Sequence, residues 1–297
     1  MNKRIAIFGA SGYLGRHLLK VLTEGGDCAC VAYDVAPTDD RLPCEYHSCD
    51  VTMSEFWKSF KPEDYDVIIF LSGLSGPERS FTEADKFVRI NQLGLLGLLD
   101  KLAPLGRKAP RIVFPSSRLV YAGGGMVTEE SPVFARSIYA ATKIACEQML
   151  SAYHARYDLP YVVLRICVPY GNLFGEYSYG TIGFFVKQAI AGKPITVYGD
   201  GSCRKTYTHI NDLCGIFKRV IAADCPGGVY NVGGHDYTLS EVAKMVAEKF
   251  KGKVEHIPWP DAAERVEMGD ISLSVRKLQG AVGRIEYLRL ENHIAIL

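Results

Sequence analysis

The most informative part of this 297-residue chain is the stretch Gly9-Ala10-Ser11-Gly12-Tyr13-Leu14-Gly15. It follows the apolar run Ile5-Ala6-Ile7-Phe8 and precedes an amphipathic segment, a pattern typical of a strand, a glycine turn and a helix. In such a turn the first glycine permits the bend, the second lets backbone approach a pyrophosphate, and the third lets the helix pack on the strand. The helix N-terminus adds free N–H groups and a partial positive charge. The spacing G-x-x-G-x-x-G therefore predicts a dinucleotide-binding turn.

Short β-type runs alternate with helical patterns along the rest of the chain. Strands are predicted at 4–8, 28–33, 45–49, 66–71, 111–115, 161–166 and 229–232. Some are apolar on both faces, as in Val67-Ile68-Ile69-Phe70-Leu71, which is typical of parallel strands covered by helices. The segments 13–23, 81–102 and 138–157 are long enough for crossover helices. The alternation predicts an α/β fold with a doubly wound parallel (Rossmann) sheet.

Asp34 ends the second predicted strand, 19 residues after Gly15. A carboxylate at this position can accept hydrogen bonds from both hydroxyls of an adenosine ribose, and it repels a 2′-phosphate. Asp34 therefore favours NAD over NADP as the cofactor. Two alternatives stay open: Asp34 as a simple turn or cap residue, and a role for Arg16 or Arg41 in admitting NADP.

Tyr139 and Lys143 are spaced i, i+4 and share one face of a predicted helix. A free tyrosine has a pKa of about 10, but an ammonium within about 4–6 Å favours the phenolate. Ser117 closes the fifth predicted strand, where its hydroxyl either caps the strand end or bonds a reacting alcohol oxygen. The three side chains predict an enzyme that removes a hydride from an alcohol carbon while Tyr139 takes the hydroxyl proton.

The composition argues against other classes of protein. The 34 basic and 33 acidic residues give a formal net charge of +1, and no run of like charge suggests nucleic acid or an anionic membrane. No apolar stretch reaches the roughly 18 residues of a membrane span, and the first residues lack a signal-peptide cleavage pattern. The nine cysteines lack metal-ligand spacing, so we expect no metal and the reduced thiols of a cytoplasmic protein.

The sequence pattern changes after Tyr170. Residues 171–180 are rich in Gly, Tyr and Asn, and a helix is predicted at 181–191, a strand at 195–198 and an amphipathic helix at 239–250, followed by irregular sequence. We expect residues 1–170, joined by 205–233, to form an NAD-binding Rossmann domain. Residues 171–204 and 234–297 are then predicted to form a smaller C-terminal substrate-binding lobe over the sheet edge.

Taken together, these residues resemble the extended short-chain dehydrogenase/reductases, specifically the NAD-dependent epimerase/dehydratase family that acts on nucleotide sugars. The resemblance covers nearly the whole chain, including 164–171 at the entry to the substrate lobe and the stretches 198–202 and 207–212. It implies catalytic roles for Tyr139, Lys143 and Ser117. It implies cofactor contacts for Gly9, Gly12, Tyr13, Leu14, Gly15, Asp34, Asp50, Val51, Leu71, Ser72, Gly73, Asn91, Tyr139, Lys143 and Cys167. It implies substrate contacts for Ser117, Arg118, Val168, Arg204, Lys205 and Arg265.

Three departures from the family pattern bear on the substrate. Val168 stands where the family often has Asn, and Lys205, beside Arg204, stands where a pyrophosphate-binding Arg is usual; Lys lacks the planar fork of Arg. Arg265 is a candidate second phosphate clamp. Members that eliminate water across C5–C6 resemble one another in having Asp-Glu after the catalytic hydroxyl residue, where this chain has Arg118 and Leu119. Leu119 cannot move a proton, so a 4,6-dehydratase is disfavoured.

The resulting prediction is an NAD-dependent nucleotide-sugar 4-epimerase that oxidises and re-reduces C4 through a 4-keto intermediate. The alternative is an NAD(P)-dependent 4-keto reductase or dehydrogenase, with a 4,6-dehydratase or a non-catalytic cofactor sensor behind it. The segments 81–102 and 138–157 carry apolar residues beyond one stripe. That excess is either a second buried face against the sheet or, as the resemblance implies, a helix-bundle interface of a homodimer.

Overall fold

The computed structural model describes residues 3–24, 26, 28–36, 44–174, 180–223 and 225–297. The described strands are β1 (Lys3–Phe8), β2 (Cys28–Asp34), β3 (Glu45–Ser48), β4 (Val67–Phe70), β5 (Arg111–Ser117), β6 (Gly125–Val127), β7 (Tyr161–Ile166), β8 (Val168–Tyr170), β9 (Ile195–Tyr198), β10 (Arg204–His209), β11 (Gly228–Asn231), β12 (His235–Thr238), β13 (Val254–Ile257) and β14 (Ile271–Leu273). The described α-helices are α1 (Tyr13–Thr23), α2 (Ser54–Ser59), α3 (Arg79–Thr82), α4 (Ala84–Phe87), α5 (Gly94–Leu102), α6 (Ile138–Tyr157), α7 (Gly180–Ile190), α8 (Ile210–Ala222), α9 (Leu239–Phe250), α10 (Asp261–Val266), α11 (Arg276–Val282) and α12 (Leu290–Ile296).

The main sheet confirms the doubly wound prediction. Seven parallel strands lie in the order β11-β7-β5-β4-β1-β2-β3. The order reverses between β1 and β4, because the chain winds outward in one direction through β2 and β3 and in the other from β4. Ligands of such sheets bind at the carboxyl ends of the strands beside this switch point. The glycine turn after β1 and the loop after β4 both lie there.

Side-chain alternation explains why the sheet is covered on both faces. Ile5 and Ile7 pack into one apolar cluster with α1 and α8, whereas Ala6 and Phe8 pack into a second cluster with α5. Successive strand residues point to opposite faces, so a strand apolar at every position fills both layers. All four residues of β4 are buried for this reason.

The segment predicted as one helix at 81–102 is interrupted. α3 ends at Thr82, and Glu83 leaves the helical conformation with φ −128° and ψ 36°. The chain then runs through α4, a π-helical turn at Val88–Leu93, and α5. Single π turns inside helices are frequent at functional sites. Asn91 lies in this turn.

The second lobe is built around β10. β10 pairs with β12, β14 and β8, and β14 pairs with β6. α7, α9 and α12 enclose an apolar cluster that includes Phe185, Val246 and Ile294. This lobe meets the Rossmann sheet at its carboxyl edge through β8, which follows β7 after one residue.

The prediction of irregular sequence after residue 250 is wrong. Residues 254–296 contain β13, α10, β14, α11 and α12, and β13 pairs in parallel with β9, some 60 residues earlier in the chain. Strands of three or four residues that pair with distant partners carry little local signal. Leu278 and Ile285, which lie within the predicted substrate-binding lobe, pack into the Rossmann cluster beside α8.

Candidate active site

The glycine turn is shaped by close backbone contact. Gly9 has φ +79°, and a Cβ there would lie 2.7 Å from the amide nitrogen of Ser72. A Cβ on Gly15 would collide with the carbonyl oxygens of Gly9 and Ala10. Gly12 is the N-cap of α1 and has no side chain to cap it. The turn thus leaves the helix N-terminus available for an anionic group.

Asp34 lies at the carboxyl end of β2, in a cavity of about 530 Å³ beside the glycine turn. Its Oδ2 accepts a hydrogen bond from the amide of Ser11 at 2.9 Å, and its Oδ1 accepts one from Ala36 at 3.0 Å. The carboxylate is therefore held in place before any ribose arrives. The cavity is also lined by predicted cofactor residues, namely Gly9, Gly12, Asp50, Val51, Leu71, Ser72 and Gly73.

Basic residues near this cavity differ from those considered in the sequence. Lys86 and Arg89 line it, and no sequence pattern singled them out. Arg16 instead lies over the ring of Phe174, with its Cζ 5.3 Å from the centroid. Arg41 falls outside the described residues. The basic residues to consider for contact with the 2′-phosphate of NADP are therefore Lys86 and Arg89 instead of Arg16.

A second cavity continues from the first and contains the predicted catalytic residues. Gly9, Gly12 and Gly73 line both cavities. The second is also lined by Tyr13, Leu14, Gly15, Ser117, Tyr139, Lys143 and Cys167. Through these shared residues the two cavities form one cleft across the sheet edge.

Lys143 is buried next to the end of β5. Its Nζ donates a hydrogen bond to the carbonyl oxygen of Pro115 at 2.7 Å and lies 4.5 Å from the ring centroid of Phe114. Burial lowers the pKa of the Lys143 ammonium to about 8, while Cys146 and Glu147 act in the opposite direction. The ammonium is thus poised near neutrality on the helix face that carries Tyr139.

The start of α6 is fixed by a side-chain cap. Ser137 is the N-cap, and its Oγ accepts a hydrogen bond from the amide of Ala140 at 3.1 Å. The ring of Tyr139 packs edge-on against Phe87, with centroids 6.3 Å apart. Ser117 lies across the cavity, where its Oγ accepts a hydrogen bond from the amide of Leu119 at 3.2 Å. Ser117 is therefore a strand-end cap as well as a wall of the reaction cavity.

Asn91 positions two walls of the cleft. Its Oδ1 accepts from the amide of Leu74 at 2.7 Å, and its Nδ2 donates to Leu74 O and to Thr142 Oγ1. Thr142 is the neighbour of Lys143 on α6. Asn91 is buried, and these contacts place it behind the loop that follows β4. A direct contact with the cofactor, as the resemblance implied, stays a prediction.

The helix α6 is also attached to β7 by a buried ion pair that the sequence analysis missed. Arg165 donates to Glu147 through Nη2 at 2.6 Å and Nε at 3.1 Å, and its guanidinium lies 4.7 Å from the ring centroid of Tyr121. Glu147 stands four residues after Lys143 and eight after Tyr139, on the same helix face. That spacing was the feature of the sequence that could have identified Glu147 as a partner within the site.

The predicted substrate residues are divided between two faces of β10. Lys205 Nζ lies 3.0 Å from Glu267 Oε2 in a largely buried pair. Arg204 points to the other face, where its Nη1 donates to Asp236 O and its Nη2 lies 3.8 Å from Glu241. This placement does not support a shared role for Arg204 and Lys205.

The remaining predicted contacts are dispersed. Val168 pairs with Tyr207 where β8 meets β10, and Arg265 is exposed on α10. Cys167 lines the reaction cavity, and its Sγ lies 2.6 Å from Thr208 Oγ1. Burial raises the pKa of the Cys167 thiol to about 11, so this thiol is uncharged at neutral pH where it lines the cavity. Within the described ranges, no group of His, Cys, Asp and Glu has the arrangement of a metal site.

A family model supports this interpretation of the site. The model of the NAD dependent epimerase/dehydratase family matches residues 5–233. The chain belongs to this family. The match spans the glycine turn, Asp34, Ser117, Tyr139 and Lys143, and it confirms the resemblance seen in the sequence.

Curated relatives include sugar-modifying proteins. The low-salt glycan biosynthesis protein Agl12 of Haloferax volcanii is 28% identical over 268 residues, covering 85% of this chain and 84% of that protein. The dTDP-glucose 4,6-dehydratase of Streptomyces niveus is 31% identical over 202 residues, covering 65% of this chain but only 58% of that enzyme.

Solved structures resemble the chain over nearly its whole length. MoeE5 in complex with UDP-glucuronic acid and NAD has a TM-score of 0.85 at 25% identity, covering 98% of this chain and 96% of that one. The UDP-glucose 4-epimerase of Thermus thermophilus in complex with NAD has a TM-score of 0.84 at 25% identity, with the same coverage. The protein is thus an NAD-dependent enzyme of the epimerase/dehydratase type.

The cleft itself fits NAD. A Cβ on Gly9 would fill the space between Gly9 and Ser72. The N-terminus of α1, which has no side-chain cap, and the Asp34 carboxylate lie at the same cavity. Gly9 and Gly12 would hold the pyrophosphate, Asp34 the adenosine ribose, and Lys143 the nicotinamide ribose.

Proposed function

We propose that the protein is a nucleotide-sugar 4-epimerase. The observation that carries this proposal is the sharing of one cavity by Ser117, Tyr139 and Lys143, next to a cleft that fits NAD. A tyrosine, a buried lysine and a serine in this arrangement can remove a proton from a secondary alcohol and support the carbonyl that forms. Binding without turnover would not require all three.

The protein's own groups have distinct tasks in the proposed reaction. NAD, when bound, accepts a hydride from C4 and later returns it. Tyr139 takes the proton of the 4-hydroxyl, and Ser117 donates a hydrogen bond to the oxygen as it becomes a carbonyl. Lys143 favours the phenolate of Tyr139 by its charge. The 4-keto sugar then presents its other face, and Tyr139 returns the proton to the oxygen.

The dehydratase relatives define the nearest competing reaction. Elimination of water across C5–C6 needs groups that move protons near those carbons. In this chain the residues after Ser117 are Arg118 and Leu119, which form a short 3₁₀ turn with Val120. Leu119 has no titratable group, so we infer that the 4-keto sugar is reduced again rather than dehydrated.

NMR in D₂O with a nucleotide 4-hydroxy sugar and catalytic NAD tests the proposed function. We expect the C4 epimer to appear, with no deuterium at C4 or C5 and no net NADH. Deuterium at C5 with loss of the 6-hydroxyl would show a dehydratase. Stoichiometric use of NADH with a 4-keto sugar would show the alternative 4-keto reductase.

We further propose that residues 171–204 and 234–275, together with α12, form a substrate-binding lobe around β10, whose residues 205–209 lead the chain back to the Rossmann domain. The apolar cluster of this lobe is separate from the clusters of the Rossmann sheet. Its strand β10 places Lys205 beside the cavity-lining segment at Cys167, because β8 and β10 are paired. Limited proteolysis with and without a nucleotide sugar would test whether ligand protects this lobe.

A homodimer through the helices around α5 and α6 is also proposed. Leu95, Leu98 and Leu99 are fully buried within the chain, so the excess apolar residues are partly a second buried face. Phe81, Val88 and Leu93 remain 39–54% exposed. Sedimentation equilibrium should give twice the mass of one chain. The substitution Leu93→Asp should shift the measured mass toward that of a single chain.

We place the reaction in the cytoplasm. Cys30, Cys49, Cys146 and Cys214 are buried free thiols, which suits a reducing compartment. None of the described helices is both long and apolar enough to span a membrane.

A further inference from the structure

A group of polar side chains, which we term the Arg118 cluster, lies beside Ser117 between the Rossmann sheet and the second lobe. It consists of Arg118, Lys205, Tyr207 and Glu267. Arg118 directly follows Ser117 and is 7% exposed, and Tyr207 is 1% exposed. Lys205 and Tyr207 share one face of β10 because alternate residues of a strand point the same way.

The charge of Arg118 reaches both lobes of the protein. Burial raises the pKa of Tyr207, and the nearby guanidinium opposes that rise. The same holds for the thiol of Cys167, which lines the reaction cavity. The charge of Arg118 therefore acts on one side chain of β10 and on one that lines the cavity containing Ser117 and Tyr139.

The cluster carries one positive charge in excess, because the single carboxylate of Glu267 faces both Lys205 and Arg118. Glu267 accepts hydrogen bonds from Lys205 at 3.0 Å and from the amide of Met268 at 3.0 Å. In the part of the chain that the structure describes, no carboxylate lies within 4.0 Å of the Arg118 guanidinium. Arg118 Nη1 and Tyr207 Oη are both buried without a hydrogen-bond partner. A buried charge and a buried donor left unpaired are costly, so a ligand that completes them would bind strongly.

Two anionic groups of a nucleotide sugar could complete this cluster, the diphosphate and a carboxylate on the ring. In the proposed function Ser117 contacts the oxygen at C4, and Arg118 is only one Cα step of about 3.8 Å away. The diphosphate is attached at C1, on the opposite side of the ring from C4. A substituent on C5 is next to C4, so the ring carboxylate fits this position better.

We propose that Arg118 binds a carboxylate on C5 of the sugar, so that the substrate class is nucleotide hexuronates. This inference rests on the proposed function and names its substrate class. The guanidinium matches a carboxylate in a two-point hydrogen bond, and the Tyr207 hydroxyl is a further donor. Arg118 has to turn toward the cavity on binding, a side-chain change that is common at binding sites.

Calorimetric titration of the NAD-loaded Tyr139→Phe protein tests the proposal without turnover. UDP-glucuronic acid and UDP-glucose carry the same nucleotide and diphosphate and differ only in the C5 substituent. We expect UDP-glucuronic acid to bind about 10- to 100-fold more tightly, the worth of a charged hydrogen-bonded pair. Equal binding, tighter binding of UDP-glucose, or binding of neither would overturn the proposal.

The substitution Arg118→Gln in the same background should remove that preference and leave the affinity for UDP-glucose nearly unchanged. A similar loss for both ligands would show a diphosphate contact and contradict the proposal. Arg107→Gln is the matched control, because it removes one positive charge from an 82% exposed side chain at the other end of β5. If Arg118→Gln does not fold, Arg118→Lys decides the same question, since it should retain only part of the preference.

Turnover by the unmodified protein separates this inference from the proposed function. Preferential binding of UDP-glucuronic acid without its epimerisation would keep the anion site and reject the 4-epimerase. Epimerisation of UDP-glucose alone would keep the 4-epimerase and reject the anion site.

Discussion

The charged groups on the cofactor side of the cleft differ from those on the proposed substrate side in how fully they are hydrogen-bonded within the protein. On the cofactor side, Asp34 accepts two backbone amides and Lys143 donates to a backbone carbonyl, so each charge has a partner within the protein. On the substrate side, the guanidinium of Arg118 has a buried nitrogen without one. Ser11 and Ser116 also have unpartnered buried hydroxyls, but these are neutral and cost less. The difference supports the proposal of a preorganised cofactor site and of an anion site beside Ser117 that its ligand completes.

The largest expected effect comes from Tyr139→Phe, which removes the proton acceptor from the cofactor side and changes nothing else. We expect activity to fall about 10²–10⁴-fold, the usual contribution of a positioned acid or base. NAD affinity, measured by fluorescence titration, should be nearly unchanged. Near-normal turnover would remove Tyr139 from the catalytic role.

The buried ion pair between Arg165 and Glu147 should contribute to the free energy of unfolding. Glu147→Gln breaks a buried ion pair between α6 and β7 and should lower the free energy of unfolding by about 3–5 kcal/mol. Urea denaturation measures this loss. The exposed pair between Lys58 and Glu55 is the control, since Glu55→Gln should barely change the midpoint. A similar small effect at Glu147 would mean that α6 is held by packing alone.

Asp34 gives a smaller effect, on cofactor choice. NAD should bind more tightly than NADP, and Asp34→Ala should narrow the difference by about tenfold, because the charge that repels a 2′-phosphate is lost. Asp34→Asn is the comparison that keeps an acceptor for the amide of Ser11. Equal affinities in the unmodified protein would assign the preference to Lys86 or Arg89 instead.

The pH dependence of stability should report the burial of Lys143. Its pKa is about 8 in the folded chain because burial disfavours the ammonium, against 10.5 for an ordinary lysine. Between these values the unfolded state binds more protons than the folded state, so this group's contribution to stability rises with pH. The free energy of unfolding of the cofactor-free protein, minus that of Lys143→Met, should therefore increase from pH 8 toward 10.5. A decrease over this window would contradict the burial of the ammonium.

The sequence predicts the Rossmann half well because its signals are local. The glycine turn, the apolar strands and the spacing of Tyr139 and Lys143 each lie within a few residues of chain. The roles of Asn91 and Arg165 are not visible in that way, since their partners Thr142 and Glu147 are 51 and 18 residues distant.

The substrate side is harder to predict for the same reason. β13 and β14 are only four and three residues long and are defined by pairing with β9, β10 and β6. The family resemblance did draw attention to Arg118, but only the structure shows that it is buried with its Nη1 lacking a hydrogen-bond partner.

The central claim, reversible oxidation at C4, is tested most directly with a nucleotide sugar carrying deuterium at C4 and a catalytic amount of NAD. A 4-epimerase should keep the deuterium on both C4 epimers, and NADH should not accumulate. The reason is that the hydride leaves C4 and returns to the same carbon while Tyr139 exchanges only the hydroxyl proton. Loss of deuterium from C4, or NADH formed in proportion to substrate consumed, would exclude reversible oxidation at C4.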